Sequence, residues 1–514
     1  MKPFRWMVFA IVSLLARPSI SQVLYPESEY LDYYRILEIK NPDQERRLNI
    51  FPSILIPYGV DSLGWDAWGN NTSAHARLVP VRWAHHYNSS YARSYNDGAL
   101  WRGKGYTTSI QGGVQGKIGK LEFTLAPIVY FSQNADFELA EPRDENNPYN
   151  YQFRNKRIDY VQRYGDASFA AFNPGQSEVR AVFKKATIGV STQNIVFGPA
   201  QFNPLILSNN ASGIPHIDIG TYKPIKTRIG WIEGKVYYGM LKKSDYFDGS
   251  DEWNYRYWSA LSVGYSPGFL PELTIGFNRA FYEKSTDFSP IDLLVFINKF
   301  DDTDGDPRIN DEFDQMGSIT MRWLFPEVGF EAYAEYGKND FGGKIWGTAP
   351  EHARAYTLGI SKYIDLTPSS ILKLTYEHTS LDKAKNSIYR PYNSWYSHGI
   401  VKSGYTIDGQ IIGGGIGTGS VSDVVDAQYF SPKGRLMFRI QRIRFDDDYF
   451  FEEIQDELNH DHEWTLESAY SQFWGSYLVG FGAGLHFRQN QYFIKENDKT
   501  NLSLSLSITR AFGN

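Results

Sequence analysis

Five aromatic side chains in polar stretches carry the clearest binding chemistry of this chain: Trp253, Trp346, Tyr392, Trp395 and Tyr396. Aromatic faces stack on flat apolar patches, such as the C–H faces of sugars, and planar polar neighbours fix the orientation, so these five are the candidate ligand contacts. Other chemistries fit less well. Asp302, Asp304 and Asp306 surround Gly305 as in a calcium loop, yet setting Gly305 at the sixth loop position puts Phe300 first and Asp311 last, where the loop needs an acidic ligand and a bidentate Glu. His460 and His462 lack a third neutral ligand, so no metal or cofactor is expected. The stretch 444–463 holds nine acidic residues, a solvated face by default and a candidate surface for divalent cations. His378 stands two residues before Ser380, a spacing that offers an activated hydroxyl for acyl chemistry. Gly413 to Gly419 has the glycine density of a phosphate loop without the lysine, and reads as a conformationally free loop. Neither Gly-x-Ser-x-Gly nor His-Glu-x-x-His occurs, and no enzymatic activity is expected.

The elements that must position these residues are strands. In the last stretch Leu502, Leu504, Leu506 and Ile508 alternate with Ser503, Ser505, Ser507 and Thr509, the pattern of a strand with one apolar and one wet face. Tyr477, Val479, Phe481, Ala483, Leu485 and Phe487 repeat it against Gly480, Gly482, Gly484, His486 and Arg488, with an aromatic at each end of the apolar row. Rows of this kind recur from about Leu78 onward. They predict an all-β fold, a transmembrane antiparallel β-barrel of about eighteen strands, an even number as single-chain outer-membrane barrels have. Tight turns are expected at 116–119, 188–190, 266–268, 326–327, 431–434 and 474–475, and a turn at Pro224. The hairpin about Ile188-Gly189-Val190 pairs Val179–Thr187 with Ser191–Phe197, and Ala135 to Ser177 is a long polar excursion. With the C-terminus in the periplasm, the tight turns fall on the periplasmic side and the long loops outside.

Ahead of the barrel, Lys2 and Arg5, the apolar run Trp6 to Ala16 and Ser19-Ile20-Ser21 form a signal peptide over 1–21. Residues 22–77 read as a periplasmic helical and irregular segment with one amphipathic helix near Ser28 to Lys40, and 78–514 as the barrel. Cysteine is absent, which excludes disulfides and thiolate metal sites, and aromatics reach 16%. A net charge of −6 over 514 residues leaves no basic footprint for nucleic acid. No later run approaches the twenty or so apolar residues of a membrane helix.

Several segments resemble one family, the Wzi outer-membrane capsule-assembly proteins. They are Phe197-Gly198-Pro199, Ser208-Asn209-Asn210-Ala211, Asn96 to Trp101, Phe330 to Gly337, Tyr396-Ser397-His398-Gly399 and Gly413 to Gly419. The resemblance implies an eighteen-stranded barrel with a carbohydrate-binding outer face that helps to hold capsular or exopolysaccharide on the cell. It marks Gly198, Pro199, Ser208, Asn209, Asn210 and Ala211 as a lumen or loop element. The expected partners are surface polysaccharide and outer-membrane lipid, and the expected state is a monomer. A porin or substrate-specific channel is the alternative. A lipid hydrolase is a third reading, since His378-Thr379-Ser380 is similar to the His-x-Ser of outer-membrane phospholipase A, although Leu381-Asp382 replaces the Asn-Gly that comes next there.

Overall fold

Alternation at period two becomes wall. The computed structural model describes residues 22–23, 25, 28–41, 47–52, 54–55, 63, 65, 76–141, 148–151, 153, 157–247, 254–298, 313–339, 349–389 and 391–510. Residues 1–21, where the signal peptide is expected, lie outside them. Eighteen antiparallel strands close into one barrel. In chain order they are β1 (Ala76–Asn88), β2 (Gly105–Ile118), β3 (Leu121–Leu125 and Ile128–Ser132), β4 (Phe169–Asn173 and Glu178–Phe183), β5 (Ala186–Ser191) and β6 (His216–Thr221 and Ile225–Lys226). The next six are β7 (Gly230–Lys242), β8 (Tyr255–Pro267), β9 (Leu273–Lys284), β10 (Phe313–Phe325), β11 (Phe330–Asn339) and β12 (Arg354–Thr367). The last six are β13 (Ser370–Ser380), β14 (Val421–Ser431), β15 (Gly434–Arg444), β16 (His462–Trp474), β17 (Tyr477–Gln489) and β18 (Lys499–Arg510). β18 returns to β1, Ser503 opposite Asn88 and Arg510 opposite Val81, so no edge stays open.

Outward rows are greasy and inward rows wet. Leu504, Leu485, Ile440, Ile360 and Ile319 are exposed on the outer wall, while Ser503, Ser505 and Ser507 face the lumen. Trp474, Tyr477, Tyr429 and Trp323 ring one rim, and Tyr87, Tyr106, Trp464 and Phe487 the other, the two aromatic belts of a bilayer-spanning wall. Among the described residues no helix is long and apolar enough to cross a membrane. Prolines mark the irregularities. The β1 to β2 register slips between Val79 and Arg82, at Pro80, which has no N–H to give the ladder; Leu78 and Trp83, of opposite parity, therefore both point outward. β3 breaks at Pro127 and β4 at Pro174, side by side, where Ala126 bridges Gly175.

Four strand expectations differ from the fold. The turn expected at Pro224 lies instead at 227–230, where the Thr227 N–H donates to the Gly230 carbonyl at 2.8 Å, and Pro224 only interrupts β6. The hairpin about Ile188-Gly189-Val190 is instead one continuous strand, β5, and the turn is Lys184-Lys185, with Phe183 opposite Ala186. Gly189 there accommodates the Arg180 guanidinium, which would stand 3.0 Å from a Cβ. Ile195–Phe197 is not wall; it pairs inside the lumen with Ile50–Pro52. The excursion after Ala135 ends earlier than expected, since Phe169–Asn173 already belongs to β4.

Helix α1 (Glu29–Lys40) lies within the barrel near the short-turn rim. Ser28 Oγ accepts the Tyr30 N–H at its start, and Glu29 and Asp32 sit in the first turn with Lys40 in the last. The helix is enclosed on most sides, its apolar and some of its charged residues alike: Tyr33, Ile36 and Leu37 pack with Trp65, Tyr363, Ile371, Phe430 and Leu478. Asp32, Arg35 and Glu38, three residues apart, reach wall charges on β10 to β15. Arg35 pairs with Glu331 at 2.6 Å, Glu38 with Arg322, and Asp32 with Lys373 and, at 3.4 Å, Arg435.

Candidate functional site

At the other rim, long loops turn inward. The β5–β6 loop carries Phe197-Gly198-Pro199 against the wall, where Gly198 has φ +81° and a Cβ would stand 2.9 Å from Thr320 Cγ2. The Pro199 carbonyl accepts Arg35 Nη1 at 2.8 Å, joining this loop to α1. Lumenal carboxylates hold the next residues of the loop. Glu377 accepts the backbone N–H groups of Gln201, Phe202 and Asn203 at 2.7, 3.0 and 2.8 Å, and the Tyr333 hydroxyl at 2.9 Å. Glu335 accepts the Leu205 N–H at 3.0 Å. The Phe330 to Gly337 motif thereby has its physical meaning: Glu331, Tyr333 and Glu335 share the lumenal face of β11 and bind the filling, while Phe330, Ala332 and Ala334 share the opposite face.

Ser208-Asn209-Asn210-Ala211 ties three loops into one plug. Ser208 Oγ donates to the Gly413 carbonyl at 2.6 Å and Asn210 Nδ2 to the Ile411 carbonyl at 2.9 Å. The Asn209 carbonyl accepts the Gly98 N–H at 2.7 Å, and the Ala211 carbonyl accepts Asn194 Nδ2 at 2.8 Å. Gly413 to Gly419, expected to be a free loop, is packed instead. A Cβ at Gly413 would lie 2.4 Å from the Leu205 carbonyl, and one at Gly415 2.3 Å from Asn210 Oδ1.

Trp395 and Tyr396, expected among the outer sugar contacts, lie inside this plug at 1% and 0% exposure. A lumen filled by loops needs large apolar bodies with polar edges, and these two supply them. Trp395 Nε1 donates to the Ala353 carbonyl at 3.2 Å; the Tyr396 hydroxyl donates to the Leu205 carbonyl at 2.9 Å and accepts the Gly414 N–H at 2.7 Å. Tyr392 is half-buried, its hydroxyl accepting the Ala384 N–H at 2.8 Å. Trp253 and Trp346 lie outside the described residues, as do Asp302, Asp304 and Asp306.

A different set of rings gathers above the plug. Tyr151, Phe153, Tyr160, Phe445 and Tyr492, all half-buried, border a cavity of about 120 Å³ at the long-loop rim. Phe153 is 4.5 Å from Tyr449 and 5.3 Å from Phe493 between ring centroids. Arg488 forms a two-pronged pair with Asp461 at 2.8 and 2.6 Å, and its guanidinium lies 4.2 Å over Phe445 and 5.3 Å over Tyr492. Flat faces beside a fixed, planar ion pair are what a pyranose ring stacks on and hydrogen-bonds to. Nothing in the sequence links these residues, because Tyr151 and Phe153, Phe445, and Tyr492 lie in three separate loops far apart along the chain; only the shared rim brings them together.

In the acidic loop, burial and the neighbouring Asp382 and Asp448 push the Asp447 carboxyl up to about 7, against the pull of Arg444 at 2.7 Å. Burial, with Arg444, His462 and Arg442 nearby, holds His460 down to about 4. Among the described residues no cluster of three or more His, Cys, Asp or Glu side chains is placed to hold a metal ion. His378 Nδ1 lies 2.8 Å from Asp423 Oδ1, whereas the Ser380 hydroxyl donates to Asp382, so the geometry joins each to a carboxylate instead of to the other.

A family model described as capsule assembly protein Wzi matches residues 87–475. Among solved structures the chain is similar in fold to Wzi of Escherichia coli, described as an outer membrane protein involved in group 1 capsule assembly and as a carbohydrate binding β-barrel. The TM-score is 0.62 at 10% identity, over 96% of this chain and 99% of that one. A BenF-like porin from Pseudomonas fluorescens Pf-5 aligns at TM-score 0.40 and 10% identity over 85% of this chain and 99% of the porin. OprD from Pseudomonas aeruginosa aligns at 0.39 and 10%, over 85% and 93%. No curated sequence matches this chain.

Proposed function

This chain belongs to the capsule assembly protein Wzi family, and we propose from that membership that its long-loop rim binds surface polysaccharide and holds it to the cell. The barrel is an outer-membrane protein. Both ends of the wall, Ala76 and Arg510, lie at the short-turn rim, which supports reading that rim as the periplasmic one and the nine longer connections as outside, with α1 inside the barrel behind it. The observation that carries the reading is the aromatic cavity bordered by Tyr151, Phe153, Tyr160 and Tyr492 beside the Arg488–Asp461 pair, set on a plug that gives it a rigid floor. Tyr392 is a further contact of that rim, and Trp253 and Trp346, outside the described residues, are candidates by sequence alone. Each contact is modest, and a repeating polymer that engages several at once gains through effective concentration. The work is recognition, with no bond made or broken, by a monomer seated in lipid. A channel is the poorer fit, because α1 and the β5–β6 and β13–β14 loops occupy the lumen a solute would need.

The test is made in an encapsulated strain lacking the protein. Wild type restores cell-attached capsule, whereas Tyr151→Ala/Phe153→Ala/Tyr492→Ala, inserted in equal amount, sheds polymer into the medium. Equal retention by the two overturns the assignment of this cavity.

A further inference from the structure

One long loop turns outward. After β9 the chain runs Phe288-Ser289-Pro290-Ile291-Asp292-Leu293-Leu294-Val295-Phe296-Ile297-Asn298, apolar but for Ser289, Asp292 and Asn298. A 3-10 turn, Pro290–Leu294, passes into one turn of α-helix, Val295–Asn298. Val295 and Phe296 pack with Phe281 of β9 and Phe313 of β10, and against Val236, Tyr238 and Leu261 of β7 and β8. These wall residues belong to outward rows, because Tyr237, Trp258, Ala260, Tyr282 and Met316, of the other parity, pack with the plug. The segment therefore lies on the outside of the barrel.

Beneath it the wall departs from the apolar rule. Ser259, Arg279 and Gln315 stand in outward rows and are buried, Arg279 to 1% exposure. Arg279 Nη2 donates to Gln315 Oε1 at 2.7 Å, its guanidinium lies 4.5 Å over the Phe281 ring, and Gly317 opposite it on β10 leaves it room. The ladders give the depth of this patch. Leu273 is level with Trp323 of the short-turn belt, and Arg279 follows it by six residues. On β17, Ala483 follows Tyr477 of the same belt by six residues and stands exposed in the middle of the lipid-facing row, four residues short of Phe487 in the other belt. Phe281 corresponds in the same way to Leu485. A guanidinium facing lipid at that depth is costly, so the patch needs a cover.

We propose that 288–298 is a strap lying in the plane of the outer leaflet, which shields the polar patch of β8 to β10 and presents Phe288, Leu293 and Leu294 to the lipid acyl chains in place of the wall. Leu293 and Leu294 are 40% and 52% exposed, and they continue the lipid-facing rows of Met240 on β7 and Ile319 on β10. Backbone groups immersed in lipid must be satisfied within the protein, and here they are met locally or by the wall. The Asp292 carboxylate accepts the Ser289 N–H at 2.7 Å, and the Ser289 carbonyl accepts the Asp292 N–H at 2.9 Å. The Tyr238 hydroxyl donates to the Leu293 carbonyl at 2.9 Å, and the Tyr257 ring is 4.6 Å from that of Phe288. A short helical piece with its apolar residues on two sides, one against the wall and one free, fits the boundary between protein and acyl chains. The strap rests on the outer-membrane seat of the barrel and is independent of the polysaccharide reading, so either can fail without the other.

The chain has no cysteine, so Leu294→Cys takes a single spin label. In full-length protein in phospholipid vesicles, the label's collisions with oxygen, which concentrates among acyl chains, are compared with its collisions with a water-soluble nickel chelate. Ile319→Cys on the lipid-facing wall and Tyr389→Cys, at a residue 91% exposed in the β13–β14 loop, are the references, each variant having the heat-modifiable mobility of a folded barrel. The Leu294 label follows the Ile319 label, with oxygen favoured several-fold over nickel. Nickel collisions as frequent as at Tyr389 put the segment in water and overturn the strap; a label screened from both reagents puts it under protein, a second copy included, and overturns the lipid assignment. Replacing 290–298 by Gly and Ser at equal length uncovers Arg279 and lowers the urea midpoint in vesicles, and adding Arg279→Leu restores most of the loss. No loss on replacement, or no rescue by Arg279→Leu, overturns the shielding role.

Discussion

Replacing Glu377 by Leu isolates the attachment of the plug to the wall. The side chains are of similar size, but the carboxylate accepts three backbone N–H groups, from Gln201, Phe202 and Asn203, and the Tyr333 hydroxyl, all within 3.0 Å. Leucine accepts none of them, and the segment is enclosed by the barrel. Each hydrogen bond to a charged acceptor contributes about 1.5 kcal/mol or more, so losing three costs about 4 kcal/mol of local stability. At about 1.4 kcal/mol per factor of ten, the local opening that exposes these amides becomes roughly a thousandfold more frequent. Hydrogen exchange read by mass spectrometry on peptides spanning 198–207 measures it directly, with peptides of β17 and β18 as internal reference. The expected result is fast exchange confined to the plug. Unchanged protection at 201–203 would refute the idea that lumenal carboxylates hold the plug.

The same geometry sets other measurable outcomes. Wild-type protein in planar bilayers gives no unitary current steps, and replacing residues 198–212 with a short Gly-Ser linker produces them; steady conductance from wild type would instead favour a channel. Leu504→Arg puts a charge on the lipid-facing row midway along β18 and lowers unfolding stability by about 2–4 kcal/mol, measured by urea titration in lipid vesicles, whereas Ser503→Thr on the lumenal row changes it little. Asp447 is an acid raised to about 7, so its charge opposes the folded loop above pH 7, and that opposition fades as pH falls from 7 toward the unfolded value near 4. His460, held down to about 4, acts the other way below about pH 6.5, because it must be neutral to stay packed on Phe450. Loop 445–461 in the wild type is therefore more resistant to proteolysis at pH 6.5 than at pH 8. Asp447→Asn abolishes that difference and makes the loop as resistant at pH 8; a wild-type loop indifferent to pH between 6.5 and 8 would contradict the buried carboxylate.

Strands were the legible part. A lipid-facing row must be apolar whatever else the protein does, so Leu502 to Ile508 and Tyr477 to Phe487 declare themselves, and the tight turns between them come from the gaps. Rows broken by proline or glycine were harder: Pro174 hid the first half of β4, and Gly189 imitated a turn inside β5. The lumen was the least legible region. Its residues obey no period, and a Trp in a polar loop reads the same whether it stacks on a sugar or fills a plug, which is why Trp395 and Tyr396 were expected outside. The Ser208 to Ala211 block is hydrogen-bonding chemistry that makes sense only once Gly98, Ile411 and Gly413 stand beside it. The outer cavity draws on the β1–β2, β3–β4, β13–β14, β15–β16 and β17–β18 loops, far apart in sequence and joined only by closure of the wall.

Recognition of a glycan by the outer rim is read most directly by equilibrium binding. Purified protein in nanodiscs is passed over the strain's own immobilised surface polysaccharide. The expected result is saturable retention that free polymer competes away and that Tyr151→Ala/Phe153→Ala/Tyr492→Ala lowers at least tenfold. Retention no greater than that of empty nanodiscs would contradict it.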